Sequence, residues 1–335
     1  MNDAFLRACR SQSVPHTPVW FMRQAGRSLP GYRQLRQRWG VLELAQTPEL
    51  AAQVSLEPVH LLGVDAAILF ADIMLLPIAM GVDVAIVDAV GPVIDEPLDT
   101  PDSFARLHPF TPDRVEYLTN TIKLLCAELN VPLIGFSAAP FTLASYLIEG
   151  RPTRTWAKTK SFMLTNPAAW NQLMTTLSDA IIGYLQTQVA AGAQAVQLFD
   201  SWVGALAPEH YRQHVLPHVQ RIFKALESQK VPCLHFGTDT AGLLRDFAAV
   251  DAQVIGLDWR VDLASAHQQL PGKALQGNLD PTVLLADTAV IEAEASRLLT
   301  SAPKTGYIFN LGHGVMPDTD DRKLKHLVEY VHAHS

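Results

Sequence analysis

Short apolar runs recur along the chain at residues 19–22, 66–70, 132–136, 195–199, 231–236, 254–257, 274–275 and 307–309, and helix-like stretches usually separate them. Each run closes on a polar residue or a glycine: Arg23, Asp72, Ser137, Asp200 with Ser201, Gly237, Asp258, Gln276, and Asn310 with His313. Eight such units predict an α/β fold, a (β/α)8 barrel of the TIM type, with the run at 274–275 the weakest of the set. In a barrel of parallel strands the interior is packed solid, so a ligand meets only the loops that leave the strand ends. The eight stops therefore gather on one rim and mark the expected active site.

The intervening segments carry ordinary helix signals. Thr47, Pro48 and Glu49 read as N-cap, first helical position and acidic first turn of a helix running to Gly63. A second helix is expected over 176–191, stopping at Gly192, and Pro208 with Glu209 opens a third. The gap between the second and third runs is unusually long. Within it, residues 84–87 and 92–94 flank Gly91 in a pattern that predicts a small antiparallel hairpin inserted at the rim, ahead of a helix near Tyr117. No linker interrupts the cadence, so residues 1–335 are read as one domain.

Composition narrows the class. With 48% hydrophobic and 18% charged residues the chain can bury a large core, and it has neither low-complexity tracts nor internal repeats. The formal net charge of −7 gives no general reason to expect nucleic acid, yet residues 5–42 hold seven arginines and no acidic residue. Three widely spaced cysteines, Cys9, Cys126 and Cys233, and no apolar signal core predict a reduced, cytoplasmic setting without disulfides. The one stretch long enough to suggest a membrane span, residues 66–82, carries Asp72 near its middle, which costs roughly 2.5–3.5 kcal/mol on insertion. No span is expected.

The loop after the first run, Arg23-Gln24-Ala25-Gly26-Arg27, sets two arginines four apart around a glycine. A guanidinium stays charged and offers a planar fork that matches a carboxylate, so the segment reads either as an anion clamp or as a salt-bridged surface loop. Asp72 is a lone carboxylate among apolar residues at a strand end. Burying it ionised requires a partner, so it pairs with Arg23 or Arg27, stays protonated, or awaits a ligand with hydrogen-bond donors. The small-residue stretch from Gly135 leads to Tyr146, and small residues there would let a large flat ligand approach the backbone. Tyr146 itself reads as a phenolic donor or a core helix residue. Ser201 has no histidine nearby in sequence to complete a nucleophilic triad and is read as a hydrogen-bonding group. His313 sits between Gly312 and Gly314, as a functional loop histidine would.

Other chemistries find less support. Cys233-Leu234-His235 is half of a zinc site, but no cysteine follows it. Lys273 comes at a strand start, the end of a barrel associated with stability rather than catalysis. No cluster of metal ligands or nucleotide-phosphate loop is legible.

Taken in order, Met22-Arg23-Gln24-Ala25-Gly26-Arg27 with Leu29-Pro30 and Tyr32-Arg33, then Phe70-Ala71-Asp72-Ile73, the stretch from Gly135 to Tyr146, Phe199-Asp200-Ser201-Trp202, Gln276-Gly277-Asn278-Leu279-Asp280-Pro281 and Asn310-Leu311-Gly312-His313-Gly314 closely resemble the uroporphyrinogen decarboxylase family, nearly end to end. Ser28 and Gly31 depart from its usual aromatic and acidic residues, and residues 318–322 from its usual continuation. The resemblance implies a substrate of four pyrroles and eight carboxylates, uroporphyrinogen III, whose four acetates lose carbon dioxide to give coproporphyrinogen III in haem biosynthesis. It implies no metal or organic cofactor and a homodimer. It also implies that Arg23, Gln24, Ala25, Gly26, Arg27, Asp72, Tyr146, Ser201 and His313 line the cleft, with Asp72, Arg23 and Tyr146 catalytic. Two alternatives remain: a zinc-thiolate methyltransferase of a related barrel superfamily, and a non-catalytic tetrapyrrole carrier.

Overall fold

The computed structural model describes residues 2–87 and 90–335. Seven parallel strands form one sheet in the order β1 (Ala67–Ile68), β4 (Leu133–Ala138), β5 (Ala195–Asp200), β6 (Cys233–Gly237), β7 (Val254–Gly256), β8 (Ala274–Gln276) and β9 (Tyr307–Ile308), while β2 (Ala85–Val87) and β3 (Gly91–Val93) pair antiparallel as the inserted hairpin. The eighth position belongs to residues 18–22. Phe309 N donates to the Pro18 carbonyl at 2.9 Å, Trp20 N donates to the Phe309 carbonyl at 3.3 Å, and on the other side Asp65 N donates to the Val19 carbonyl at 2.8 Å. The sheet closes on itself, and the architecture is a TIM-type barrel.

The first expected strand is thus reduced to a single parallel bridge, Val19 to Phe309. Side chains explain the difference. Val19 N donates to Asp65 Oδ2 (2.8 Å), Phe21 N to Gln24 Oε1 (2.9 Å) and Met22 N to Asn310 Oδ1 (3.0 Å), so three amides that a ladder would use are bonded elsewhere. The second run pairs with β4 through Ala67 N and Leu69 N, while on its other edge Phe70 N donates to Ser55 Oγ at 2.8 Å, and the strand itself spans only Ala67–Ile68.

Alternation along the strands builds two cores. Trp20, Met22, Ile68, Ile134, Phe136, Leu234, Phe236 and Ile308 face inward, while Val19, Phe21, Leu133, Leu198, Ile255 and Tyr307 pack beneath the helices. Phe5, Ala8 and Cys9 of helix Ala4–Cys9 join the inner cluster and plug the end at which the strands begin. Fully inside the barrel, Trp20 Nε1 donates to Gln276 Oε1 at 2.9 Å and Gln276 Nε2 donates to Gln197 Oε1 at 3.0 Å.

Helix Pro48–Leu62 ends at Gly63 in the left-handed region (φ 74°), as expected, but the Thr47 hydroxyl does not cap it. It donates backward to the Glu43 carbonyl at 2.8 Å. The helix expected over 176–191 starts nine residues earlier and spans Pro167–Ala191, since Pro167 takes a first-turn position and Trp170, Leu173 and Met174 are buried in its opening turns. No helix among the described residues is long and apolar enough to cross a membrane.

The interior polar chain gives a stability test. Gln276→Met keeps approximate volume but strands the Trp20 indole N–H and the Gln197 carbonyl oxygen, each buried. Urea unfolding should show a loss of about 2–6 kcal/mol, from roughly 1–3 kcal/mol for each of the two unsatisfied groups; a loss below about 0.5 kcal/mol would mean the chain is not stabilising.

Candidate active site

The rim is organised from the loop after residue 22. Gln24 is completely buried: its Oε1 accepts from Phe21 N, and its Nε2 donates to the Ala66 carbonyl at 3.0 Å. Its carboxamide is therefore spent on tying the loop to β1, and the structure does not place it against the cleft. Between these ties Arg23 takes a left-handed backbone conformation (φ 61°), and Val315 N donates to the Met22 carbonyl at 2.8 Å. A residue other than glycine held there costs on the order of 1 kcal/mol, and such strain gathers at functional sites. A Cβ at Gly314 would collide with Arg23 Cδ, so the glycine gives the arginine stem its path. Ala25 and Gly26 are half-buried, and Arg27 is exposed.

Of the two departures near this loop, Gly31 has a local reason and nothing in the structure explains Ser28. Glu57 reaches across from helix Pro48–Leu62 and accepts from Gly31 N (2.6 Å) and Tyr32 N (3.0 Å), and a Cβ at position 31 would meet its carboxylate at 2.6 Å. An acidic residue at 31 would collide with and repel that group. Ser28 is buried, with its Oγ unpartnered. Arg33 donates to the carbonyls of Arg27 (3.2 Å) and Ser28 (2.7 Å), so this arginine supports the loop.

Asp72 follows β1. Its Oδ1 accepts from Met74 N at 2.8 Å, and no arginine among the described residues comes within ion-pair distance. The expected alternative of a structural pair with Arg23 or Arg27 is thus not formed. Burial pushes the carboxyl above its usual range, opposed by the Met74 hydrogen bond and the charge of Arg23.

The small-residue stretch before Tyr146 departs from expectation. Residues 133–145 are buried in protein, with Gly135 set against Gln188 and Ala193. Ala139 N donates to the Phe199 carbonyl at 2.8 Å, and Thr142 Oγ1 donates to Asp200 Oδ1 at 3.1 Å. Tyr146, in helix Pro140–Glu149, is half-buried, with its ring 4.0 Å from that of Trp202 and tilted 31°. Burial and then the Asp72 charge push its phenol up to about 12, so it remains a hydrogen-bond donor. Ser201 is half-buried, and its carbonyl accepts from the Thr238 hydroxyl.

On the opposite side of the rim, Asn310 holds Met22 N and Leu311 N with its Oδ1. His313 is half-buried, its ring 6.5 Å edge-on from Trp259, whose face carries Arg260 at 4.0 Å. Burial, reinforced by Arg23, depresses His313 to about 4. It is a neutral imidazole at neutral pH.

Arg23 joins these groups electrostatically. Its side chain is solvent-exposed along the rim; desolvation by the surrounding cleft lowers its pKa, Tyr146 and Asp72 raise it, and Arg27 lowers it. The rim thus brings together Arg23, Arg27, Asp72, Tyr146 and His313, with Ser201 beside the Trp202 stack. Sequence reasoning missed Trp202, Trp259 and the holding role of Asn310; each directly adjoins or forms a strand stop, the one signal available. A groove of about 490 Å³ lined by Gly31, Glu49, Glu57, His60 and Leu124 lies elsewhere and holds none of the candidate site residues.

The other candidate chemistries find no site. Cys233 is buried, its thiol pushed up to about 12 by burial, and His235 lies stacked on Phe247 at 4.1 Å. Neither faces the rim. Lys273 Nζ is occupied by the carbonyls of Val250 (2.6 Å) and Ala252 (2.8 Å).

A TIM-type barrel with two arginines, an unpaired carboxyl, a phenol and a neutral imidazole on its strand-end rim has the makings of an enzyme cleft for a polyanion that also carries hydrogen-bond donors. The profile of the family described as Uroporphyrinogen decarboxylase (URO-D) matches residues 1–334, and the chain belongs to that family. Relatives named uroporphyrinogen decarboxylase include those of Streptomyces avermitilis (50% identical, covering 99% of this chain and 94% of the relative), Bacillus subtilis (48%, 100% and 96%) and Thermus thermophilus (47%, 99% and 98%). Among solved structures, a methyltransferase from Methanosarcina mazei superposes with a TM-score of 0.79 at 20% identity over 98% of this chain and 97% of its own. A B12-independent methionine synthase from Shewanella sp. W3-18-1 gives 0.56 at 13% identity, covering 85% and 86%. At those identities the likeness is one of fold.

Gly314 isolates positioning from folding. In Gly314→Ala the three heavy atoms nearest the new methyl all belong to the flexible Arg23 side chain, so unfolding free energy should stay within about 1 kcal/mol of the parent. A guanidinium displaced by about 1 Å should nonetheless lower kcat/KM on the family substrate by roughly 10- to 100-fold; an unchanged kcat/KM would remove Arg23 from the chemistry.

Proposed function

We propose that this cleft binds uroporphyrinogen III and decarboxylates its four acetate side chains to methyls, giving coproporphyrinogen III in tetrapyrrole biosynthesis. The observation that carries the reading is Asp72: a half-buried carboxyl with one hydrogen bond and no ion pair among the described residues, within reach of the charge of Arg23. A macrocycle with inward pyrrole N–H groups supplies the donors it lacks, each charge-assisted bond contributing roughly 1.5–3 kcal/mol before desolvation. The peripheral carboxylates suit Arg23 and Arg27.

An acetate on a pyrrole needs an electron sink. Protonating the ring carbon adjacent to the one that bears the acetate makes the ring a conjugated iminium cation; the bond to the carboxylate carbon then breaks, its electron pair forms an exocyclic carbon–carbon double bond and flows on to neutralise the ring nitrogen, and carbon dioxide leaves. The exocyclic carbon next takes a proton and the ring loses one, so each cycle consumes one proton net. Asp72 stabilises the ring cation through the N–H groups, a fixed charge whose contribution grows toward the transition state. Arg23 holds the departing carboxylate. Its pKa is lowered by desolvation within the cleft, yet a guanidinium remains a poor acid, so its role is positioning. Tyr146, held protonated, donates to a substrate carboxylate, as do Ser201 and His313 as neutral groups. Ala25 and Gly26 contribute backbone, and Gln24 fixes the loop. No metal or organic cofactor enters this scheme. A homodimer in a cytoplasmic setting belongs to the same proposal, the latter supported by three unpaired cysteines.

Anaerobic incubation with uroporphyrinogen III, with oxidised products separated by carboxylate number, tests the reading: the parent should yield seven-, six-, five- and four-carboxylate species. Asp72→Asn keeps size and an acceptor oxygen but removes the charge. Turnover should fall roughly 10²- to 10³-fold with affinity largely retained. A folded Asp72→Asn that completes all four steps within about threefold of the parent would overturn the charge-stabilisation mechanism.

Arg27→Ala distinguishes clamp from chemistry. Substrate binding should weaken more than turnover slows, because a carboxylate clamp chiefly supplies affinity and orientation. Unchanged binding with collapsed turnover would instead make Arg27 a participant in the reaction.

A further inference from the structure

At the end of the barrel opposite the cleft, three residues far apart in sequence meet. Asp65, just before β1, is 2% exposed, and each of its oxygens accepts one imidazole and one amide. Oδ1 takes His16 Nε2 at 3.0 Å and Asn2 Nδ2 at 2.8 Å; Oδ2 takes His332 Nε2 at 2.7 Å and Val19 N at 2.8 Å. The two imidazole rings lie 4.2 Å apart, tilted 46°, and are only a quarter exposed, at 25% and 27%.

We propose that His16, Asp65 and His332 form a binding site for one borderline divalent cation, with Zn2+ the best match, whose role is to staple the barrel's first-strand seam to the C-terminal helix Asp321–Ala333. The donor set is two imidazole nitrogens and a carboxylate, the chemistry that zinc favours and that hard cations such as Mg2+ do not. Their ligand atoms all lie within 4.8 Å of one another. A tetrahedral cation with bonds of about 2.0–2.2 Å sets its ligands roughly 3.3 Å apart, so the cluster needs only a small adjustment to close on an ion.

The surroundings are those of a supported ligand set. Asn2 and Val19 donate one hydrogen bond to each carboxylate oxygen and keep doing so when the metal takes the place of the two Nε2 protons, which fixes the carboxylate's orientation. Both imidazoles bind as neutral rings, each with its proton on Nδ1. Neither Nδ1 bonds a described residue, and the partial exposure of both rings leaves Nδ1 to water and gives the ion an entry path. The resident ion would lie at the strand-start end, the face of a barrel tied to stability, so it takes no part in the decarboxylation.

The purified full-length protein, stripped by chelator and dialysed, is titrated with Zn2+. One equivalent should be retained after gel filtration, and the melting temperature should rise by about 3–6 °C at a hundredfold excess over Kd. Mg2+ should give no shift. His16→Gln and His332→Gln each remove one nitrogen ligand from the partly exposed rim of the cluster, so both should fold and each should lose the retained equivalent and the Zn2+-dependent shift. Co2+ supplies a signature independent of stability: visible d–d bands of a four-coordinate ion in the parent, lost in either variant. Turnover of the parent should be the same with and without Zn2+. Failure of the parent to retain one equivalent, or retention and shift undiminished in either variant, would overturn the proposal.

Discussion

The barrel is closed at its first strand by a few backbone hydrogen bonds together with side chains that take the amides a longer ladder would use, and the placement of the cleft depends on that substitution. Asp65, Gln24 and Asn310 take the amides of Val19, Phe21 and Met22, and each does so from a different place: the entry to β1, the loop itself, and the exit of β9. The segment is therefore pinned at both seams while its last residues are freed from strand geometry. That freedom lets Arg23 adopt a left-handed backbone and leave the barrel wall at an angle no regular strand would give. Asn310 also ties this loop to the one carrying His313, so the two sides of the cleft share a single hydrogen-bonding hub.

Electrostatics at the rim follow from one cause. Desolvation raises Asp72, lowers Arg23, raises Tyr146 and lowers His313, so each of the four is biased toward its uncharged form. For His313 the direction has a stability consequence. With a folded value near 4 against an unfolded value near 6.5, the unfolded chain takes up the proton first, so the folded state loses stability as pH falls from about 6.5 toward 4. A ligand that brings both carboxylates and N–H donors reverses the bias at Arg23 and Asp72 together. Neither partner alone would do so, because Arg23 and Asp72 are not themselves in contact.

Much of this was legible in the chain because strand ends in a barrel are set by where apolar runs stop. The stops at Arg23, Asp72 and His313 do converge on one rim, and the hairpin falls where Gly91 marks it. What was not legible depends on contacts between distant residues. Gln24 sits inside the most specific motif and looks like a ligand group, yet only the fold shows that Ala66 and Phe21 consume its carboxamide. The small residues before Tyr146 suggested room for a ligand; they are buried, with Gly135 against Gln188 and Ala193, a contact between distant residues that periodicity cannot show. The first strand's shortening likewise depends on Asp65 and Asn310, neither of which is local to it.

Asp65 and Asp72 bracket the same short strand and show how one fold assigns opposite fates to one residue type. Burial raises both. At Asp65 hydrogen bonds from His332, His16 and Val19 outweigh it and hold the carboxyl below its ordinary range. At Asp72 a single amide and the charge of Arg23 do not, and the carboxyl stays above that range. The first contributes stability at neutral pH that is lost as pH falls through its depressed pKa, whereas ionising the second costs the folded protein energy until a ligand donates to it. The strand-start end of the barrel is saturated with partners and the strand-finish end is left short of them. That asymmetry, more than any single residue, separates the end that holds the protein together from the end that acts.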